Sequence, residues 1–193
     1  MRRFIIVGHK TPTAADFKLD DMAGGAGRLD VLLRCVNSAF FLSHSIRKDV
    51  EVYLVLQGPP HPPRTVRFYG PEMRYLNPDE RSTGALVRNA LLKQSKVEAR
   101  SSPGVYVRDI GLREVIASLP AECQVVYLKE DGLPLESLVK GEDMAFVLSD
   151  HMDLSDAEEA VLKERANGTI SLGPTSYHAD HCITIVNHRL DML

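Results

Sequence analysis

The chain has 193 residues, 44% of them hydrophobic and 25% charged, with a formal net charge of −3. Those values suit one globular domain with a full-sized core and exclude a disordered or fibrous chain. No apolar run approaches the ~20 residues that a membrane-spanning helix needs, and the opening "MRRFIIVGHK" has too short an apolar stretch for a signal peptide. The three cysteines, Cys35, Cys123 and Cys182, are scattered and odd in number. That pattern argues against a disulfide framework and for a reducing cytoplasm.

Charge is unevenly spread. Residues 1–113 carry 18 Lys and Arg against 11 Asp and Glu, whereas residues 114–193 carry 5 against 15. A basic first half on an acidic body suits an anionic polymer held on one face, although chance asymmetry on a solvated surface gives the same count.

In chain order, residues 3–8 read as a first strand and residues 10–27, with "AGGAG", as a loop. "RLDVLLRCVNSAFFLSHSI" places Leu29, Leu32, Leu33, Val36 and Phe40 on one helical stripe. "VEVYLVLQG" is a near-continuous apolar run, the pattern of a strand buried on both faces. The four prolines of "QGPPHPPR" exclude regular structure, and "TVRFYG" alternates like an edge strand or hairpin arm. "NPDERSTGALVRNALLKQ" predicts a helix capped by Asn77, with Pro78 at its first position and Glu80 reaching back. "SPGVYVRD" is extended, "GLREVIASL" a short helix, and "ECQVVYLKE" and "MAFVLSDH" buried strands. Ser155 and Glu158 form a capping box, with Asn167-Gly168 expected to stop that helix in a left-handed turn. "TISLG" is a last strand, and a helix over 179–190 closes the chain.

Alternating strands and helices predict one α/β domain over residues 1–193, a mostly parallel sheet with helices on both faces. Ligands of such sheets gather at the carboxyl ends of the strands. Three such ends lie in the second half: "YLKEDG", "VLSDH" and "SLGP".

The densest stretch, "SLGPTSYHADHCITIVNHRL", admits three chemistries. His178, His181 and Asp180 could serve a zinc-dependent hydrolase, but no C-x-x-C or H-E-x-x-H supplies the usual partners, so no metal is expected. Cys182 could be a nucleophile at a helix start, yet it continues the apolar stripe of Ala179, Ile183, Val186 and Leu190. The third is a rigid backbone pocket: Gly173 removes a Cβ, Pro174 stiffens the turn, and free main-chain groups read a flat heterocycle. "AGGAGRLD" is not a P-loop, since G-K-[ST] is missing. Asp30 and Arg34, four apart on one helix, are either a surface ion pair or a carboxylate orienting a guanidinium toward a phosphate or base edge. Arg64 and Arg67, beside Phe68 and Tyr69, and Arg81 and Arg88 along the next helix suit RNA contact; a non-catalytic RNA-binding module uses the same residues.

"GGAGRLDVLLRCVNSAFFLSHSIRKD", "NPDERSTGALVRNAL" and "SLGPTSYHADHCITIVNHRLD" together resemble the archaeal tRNA pseudouridine N1-methyltransferases of the SPOUT class, over nearly the whole chain. The resemblance implies a trefoil knot near the C-terminus, one of the exceptions to unknotted folds, a homodimer, and S-adenosylmethionine bound in the knot loops. By position, the cofactor contacts would be Leu128, Ser149, Leu172, Gly173, Pro174, Thr175, Ser176, Tyr177 and Cys182. The family pattern has glycine where Ser149 stands. The substrate implied is the T-loop pseudouridine of tRNA, with an rRNA pseudouridine as the alternative. Arg34 would stabilise the base anion, Asp30 would orient Arg34 or take the proton, and Arg28, Arg64, Arg67, Arg81 and Arg88 would hold the RNA.

Overall fold

A computed structural model describes residues 1–193. Eight strands form one sheet: β1 (Arg2–Gly8), β2 (Val50–Leu56), β3 (Arg64–Tyr69), β4 (Ala99–Ser102), β5 (Val105–Arg108), β6 (Gln124–Pro134), β7 (Met144–Ser149) and β8 (Gly168–Ser171). Five helices accompany them: α1 (Leu29–Phe40), α2 (Glu80–Leu91), α3 (Leu112–Ser118), α4 (Asp156–Lys163) and α5 (Ala179–Met192). The sheet order is β4-β5-β3-β2-β1-β7-β6-β8.

The sheet is mixed, with four parallel pairings and three antiparallel ones. β2, β1, β7, β6 and β8 run parallel to one another, while β2, β3, β5 and β4 pair antiparallel. Connection length decides which. A parallel return needs a crossover of about a dozen residues or more, and the proline segment between β2 and β3 is too short for one. β4 and β5 turn back on each other at Gly104, whose φ of 79° suits glycine.

Helices cover both faces, as the alternation predicts. α1, α2 and α5 pack over one face, with Leu29, Leu32, Leu33, Val36 and Phe40 all buried in the larger core. α3 and α4 cover the other face over a smaller core that includes Ile5, Val7, Val115 and Val147. The central strands β1 and β7 thus need apolar side chains on both sides, which explains their continuous runs.

Several local expectations change. α1 ends at Phe40, after which Phe41 bridges back to Ile46. α2 is capped by Asp79, which accepts from the Ser82 amide at 2.7 Å, not by Asn77; Glu80 then opens the helix and points its carboxylate toward Arg34. β3 is a hairpin arm antiparallel to β2, one of the two expected forms, and it lies inside the sheet beside β5 and not at an edge; α5 runs on to Met192. The Ser155–Glu158 capping box is present, but α4 ends at Lys163 and Gly168 opens β8 instead of stopping the helix. Asn167 caps the sheet: its amide donates to the Val125 carbonyl at 2.7 Å and its side chain accepts from the Val125 amide at 2.8 Å.

Candidate active site

Because β6, β7 and β8 are parallel, their carboxyl ends emerge together. A cleft of about 490 Å³ opens there, lined by Tyr127–Glu130, Leu148–Asp153, Leu172, Gly173 and Thr175–Ala179, with Cys182, Arg28 and Val31. The three strand ends singled out in the sequence are the three walls. Of the nine expected cofactor contacts, eight line the cleft; Pro174 is exposed and does not.

Each wall has a local cause. Gly173 adopts φ 130°, and a Cβ built there would meet nothing within 4 Å. Its role is conformational: only glycine adopts that geometry without strain, and open space lies beside it. Gly132 is the opposite case, since a Cβ would lie 2.6 Å from the Ile170 carbonyl carbon; it lets the far end of β6 press against β8. At position 149 the side chain is accommodated: Ser149 Oγ donates to the Met152 carbonyl, closing its own turn.

Cys182 is a wall. Burial, with the negative charges of Glu130 and Asp180, pushes its thiol up to about 11, so at neutral pH it is a neutral, apolar surface. The nucleophile alternative therefore has no thiolate. For zinc, His178 and His181 stack edge to face with centroids 5.7 Å apart, and no group of three or more His, Cys, Asp or Glu side chains is placed to hold an ion.

Beside the cleft runs a chain of charges. Gly27 and Arg28 are both left-handed, with φ of 55° and 66°. A Cβ at Gly27 would overlap the Lys10 carbonyl, so this close approach fixes the turn into α1. Arg28 thereby lines the cleft, its Nε 3.0 Å from Asp30 Oδ1. Asp30 is buried and also accepts from Arg34 at 2.9 Å. Burial alone would raise the Asp30 carboxyl, but hydrogen bonds from Arg28 and Arg34 outweigh it and hold the group below the usual range. Arg34 continues to Glu80 at 3.4 Å and Asp180 at 3.9 Å. Arg34 and Asp30 do not line the cleft themselves; they form its neighbouring surface through Arg28, with the Arg34 side chain 32% exposed.

The five arginines expected on RNA divide. Arg64 is interior, 1% exposed, and spends its guanidinium on Asp109 and on the carbonyls of Thr13, Leu91 and Lys93. It is a structural strut out of reach of any RNA. Arg67 is matched by Glu51 and Glu98 and stands over the Tyr106 ring at 4.4 Å. Arg81 and Arg88 on α2 make no ion pair and are, respectively, exposed and half-buried. Arg28 belongs to the cleft.

Sequence reasoning missed His9, Asp150 and Glu158. The His9 ring touches both carboxylates, at 3.1 Å each, where β1 ends beside β7. A histidine directly after a buried strand, "VGHK", is the one local sign of this cluster, and its two carboxylate partners are distant in sequence.

A model of the family described as "Putative SAM-dependent RNA methyltransferase" matches residues 1–193. A tRNA (pseudouridine(54)-N(1))-methyltransferase of Haloferax volcanii is 52% identical, covering 99% of this chain and 96% of that one. Its counterpart in Methanococcoides burtonii is 46% identical over the same shares. Among solved structures, Archaeoglobus fulgidus Nep1, crystallised with S-adenosylhomocysteine, superposes with a TM-score of 0.68 at 16% identity, covering 98% of this chain and 97% of that one. That likeness concerns the fold. From the strand tips to the last helix, the chain belongs to the family of SAM-dependent RNA methyltransferases.

Proposed function

We propose that the protein transfers a methyl group from S-adenosylmethionine to N1 of pseudouridine-54 in the T-loop of tRNA. The carrying observation is the cleft: three parallel strand tips enclose about 490 Å³ with apolar walls and a glycine at φ 130°. Pockets for nucleoside-sized ligands have this volume and this mixture of apolar walls and few polar groups. The relatives' name supplies the acceptor atom.

The residues fit the cofactor. Leu128, Leu148, Leu172 and Cys182 offer apolar surface for a purine, and the Leu172–Ser176 backbone offers main-chain donors and acceptors. Glu130, hydrogen-bonded by Ser176 and held below the usual carboxylate range, keeps negative charge at the mouth, where a cation is welcome. The bound cofactor supplies an electrophilic methyl on a sulfonium sulfur.

Pseudouridine N1 is an imide-like N–H, because the base joins ribose through carbon. With S-adenosylmethionine bound, N1 would give up its proton and take the methyl as the C–S bond breaks, leaving the sulfur as a neutral thioether. Arg34 stabilises the developing base anion, which is where preorganised charge contributes most. Asp30, ionised and tied to two guanidiniums, keeps Arg34 oriented and offers a carboxylate beside the base for the N1 proton. Loop bases splay out to reach such pockets. Arg28 sits at the entry, and Arg81 and Arg88 offer unpaired charge on α2 for the RNA backbone.

A trefoil knot, a homodimer and a cytoplasmic setting belong to the same reading. After β8 at the sheet edge, the chain crosses back to set α5 against α1, the return that a threaded C-terminus requires. No helix is long and apolar enough to cross a membrane.

Incubation of unmodified-at-N1, pseudouridine-containing tRNA with protein and cofactor, followed by nucleoside mass spectrometry, is the test. N1-methylpseudouridine at position 54 is expected; no methyl transfer, or transfer to rRNA alone, overturns the assignment.

A further inference from the structure

One imidazole holds both ends of a cleft wall. His9 closes β1, with its side chain 14% exposed. Its Nδ1 lies 3.1 Å from Asp150 Oδ1, and its backbone amide donates to Asp150 Oδ2 at 3.0 Å. Its Nε2 lies 3.1 Å from Glu158 Oε2. Asp150 begins the segment that follows β7, and Glu158 lies in the first turn of α4, just beyond that segment's end. Between them, Asp150 to Asp153 line the cleft.

Each carboxylate also organises its own end. Asp150, fully buried at its side chain, accepts from the Met152 amide at 2.9 Å and so shapes the turn. Glu158 accepts from the Ser155 amide and hydroxyl, both at 2.7 Å, and from Gln57 Nε2 at 2.7 Å. Met152 offers a carbonyl to Ser149 inside the same turn.

We infer that His9 is a positioning residue for the cofactor: as an imidazolium donating from both ring nitrogens, it staples Asp150 and Glu158 to the tip of β1 and fixes the 150–158 wall of the cleft. The geometry requires the charged form. A neutral imidazole has one N–H and one lone pair, and the lone pair would face a carboxylate oxygen at 3.1 Å. Burial opposes the charge, but the two hydrogen bonds outweigh it and raise His9 above the ordinary histidine range. The groups that face this cluster are Asp150 and His151 from the end of β7, Glu158 from α4, Gln57 from the end of β2, and Arg28 from the start of α1. His151 Nδ1 is 3.5 Å from Asp150 Oδ2, a second contact on the same carboxylate.

The sign follows from the raised value. The staple is complete below the ordinary histidine range and is lost as pH rises through the folded-state value, which lies above it. Deprotonation frees one carboxylate, loosens the wall, and weakens cofactor binding on the alkaline side.

This role rests on the cofactor reading of the cleft, so its test has one arm that needs no cofactor. In that arm, nitrogen NMR of the full-length protein follows both His9 ring nitrogens from pH 6 to 9, and hydrogen exchange follows the Met152 amide. A doubly protonated His9 at pH 7, with Met152 protection falling as His9 titrates, is expected; a neutral ring at pH 7 overturns the inference. In the second arm, calorimetry measures S-adenosylmethionine binding to the wild type and to His9→Gln. The variant should bind about tenfold more weakly near neutral pH. It should also lack the alkaline loss seen in the wild type, with turnover at saturating cofactor nearly unchanged. Wild-type affinity with wild-type Met152 protection in His9→Gln overturns it. If the variant does not fold, the wild-type NMR arm decides. If the wild type binds no cofactor, the methyltransferase reading falls, and the NMR arm still decides whether His9 staples the wall.

Discussion

Arg34 Nε lies 3.9 Å from Asp180 Oδ2, tying the middle of α1 to the first turn of α5. Asp180 is 8% exposed, and its other oxygen, Oδ1, has no hydrogen-bond partner. A buried carboxylate oxygen left without a donor is costly unless something completes it. Its place beside Arg34 puts that open valence next to the surface proposed for the base.

Arg34→Ala should lower methyl transfer by about a hundredfold or more, the loss seen when a preorganised stabiliser of a developing anion is removed. Cofactor affinity should change little, because Arg34 does not line the cleft. Single-turnover transfer compared with calorimetric cofactor binding separates the two. Equal losses in both would place Arg34 in the cofactor site instead.

Cys182 should behave as an inert wall. Burial pushes its thiol up to about 11, so alkylation by iodoacetamide should be slow at pH 7 and accelerate steadily into the alkaline range. Cys182→Ala should retain methyl transfer within a few-fold, and Cys182→Phe should abolish cofactor binding by filling the cleft. Loss of chemistry in Cys182→Ala with normal cofactor affinity would restore the nucleophile.

Gly173→Ala tests conformation apart from space. No atom lies within 4 Å of the added methyl, but φ is 130°. The substitution should cost roughly 1–3 kcal/mol in backbone strain or shift the turn. Calorimetry should show weakened cofactor binding, and thermal melting a lower midpoint. An unchanged affinity would mean that the turn relaxes without moving its main-chain groups.

Arg64 and Arg81 should separate stability from RNA binding. Arg64→Ala leaves three interior carbonyls and Asp109 without their donor and should destabilise by about 3–5 kcal/mol. Arg81→Ala should leave denaturant unfolding unchanged while weakening tRNA binding and reducing its salt dependence by about one contact. Filter binding over a salt series reads the second effect.

The acid limb of stability should report Asp30 and Glu158. Both carboxyls lie below their ordinary values, Asp30 through Arg28 and Arg34, Glu158 through Ser155, Gln57 and His9, in each case against burial. Depressed carboxylates contribute stability that is full above their unfolded values and is lost as pH falls through the folded ones. The melting temperature should therefore fall steadily below about pH 4, the ordinary carboxylate value. In Asp30→Asn it should fall less steeply.

Much was legible because it depends on neighbours in sequence. The helical stripe of Leu29 to Phe40, the continuous strands, the Ser155–Glu158 box and the three strand tips were each visible within about a dozen residues. Errors came where partners lie far away. The cap is the local exception: Asn77 and Asp79 are both good caps, and Asp79 is the one that takes the Ser82 amide. Arg64 sits in a basic, aromatic stretch like a surface residue, yet its four acceptors come from Thr13, Leu91, Lys93 and Asp109. His9 could not be assigned without Asp150 and Glu158, more than 140 residues away.

The order of apolar periods, turns and caps determined the elements and, because ligands gather where parallel strands end, the three tips that line the cleft. Asp30 and Arg34, four apart on α1, were already a legible pair, but tertiary structure decided which charged groups distant in sequence meet. Coulomb and hydrogen-bond terms depend on distance in space, and only the packed sheet brings Arg28, Asp30 and Arg34 beside Asp180, turns Arg64 inward, and closes one imidazole between two distant carboxylates.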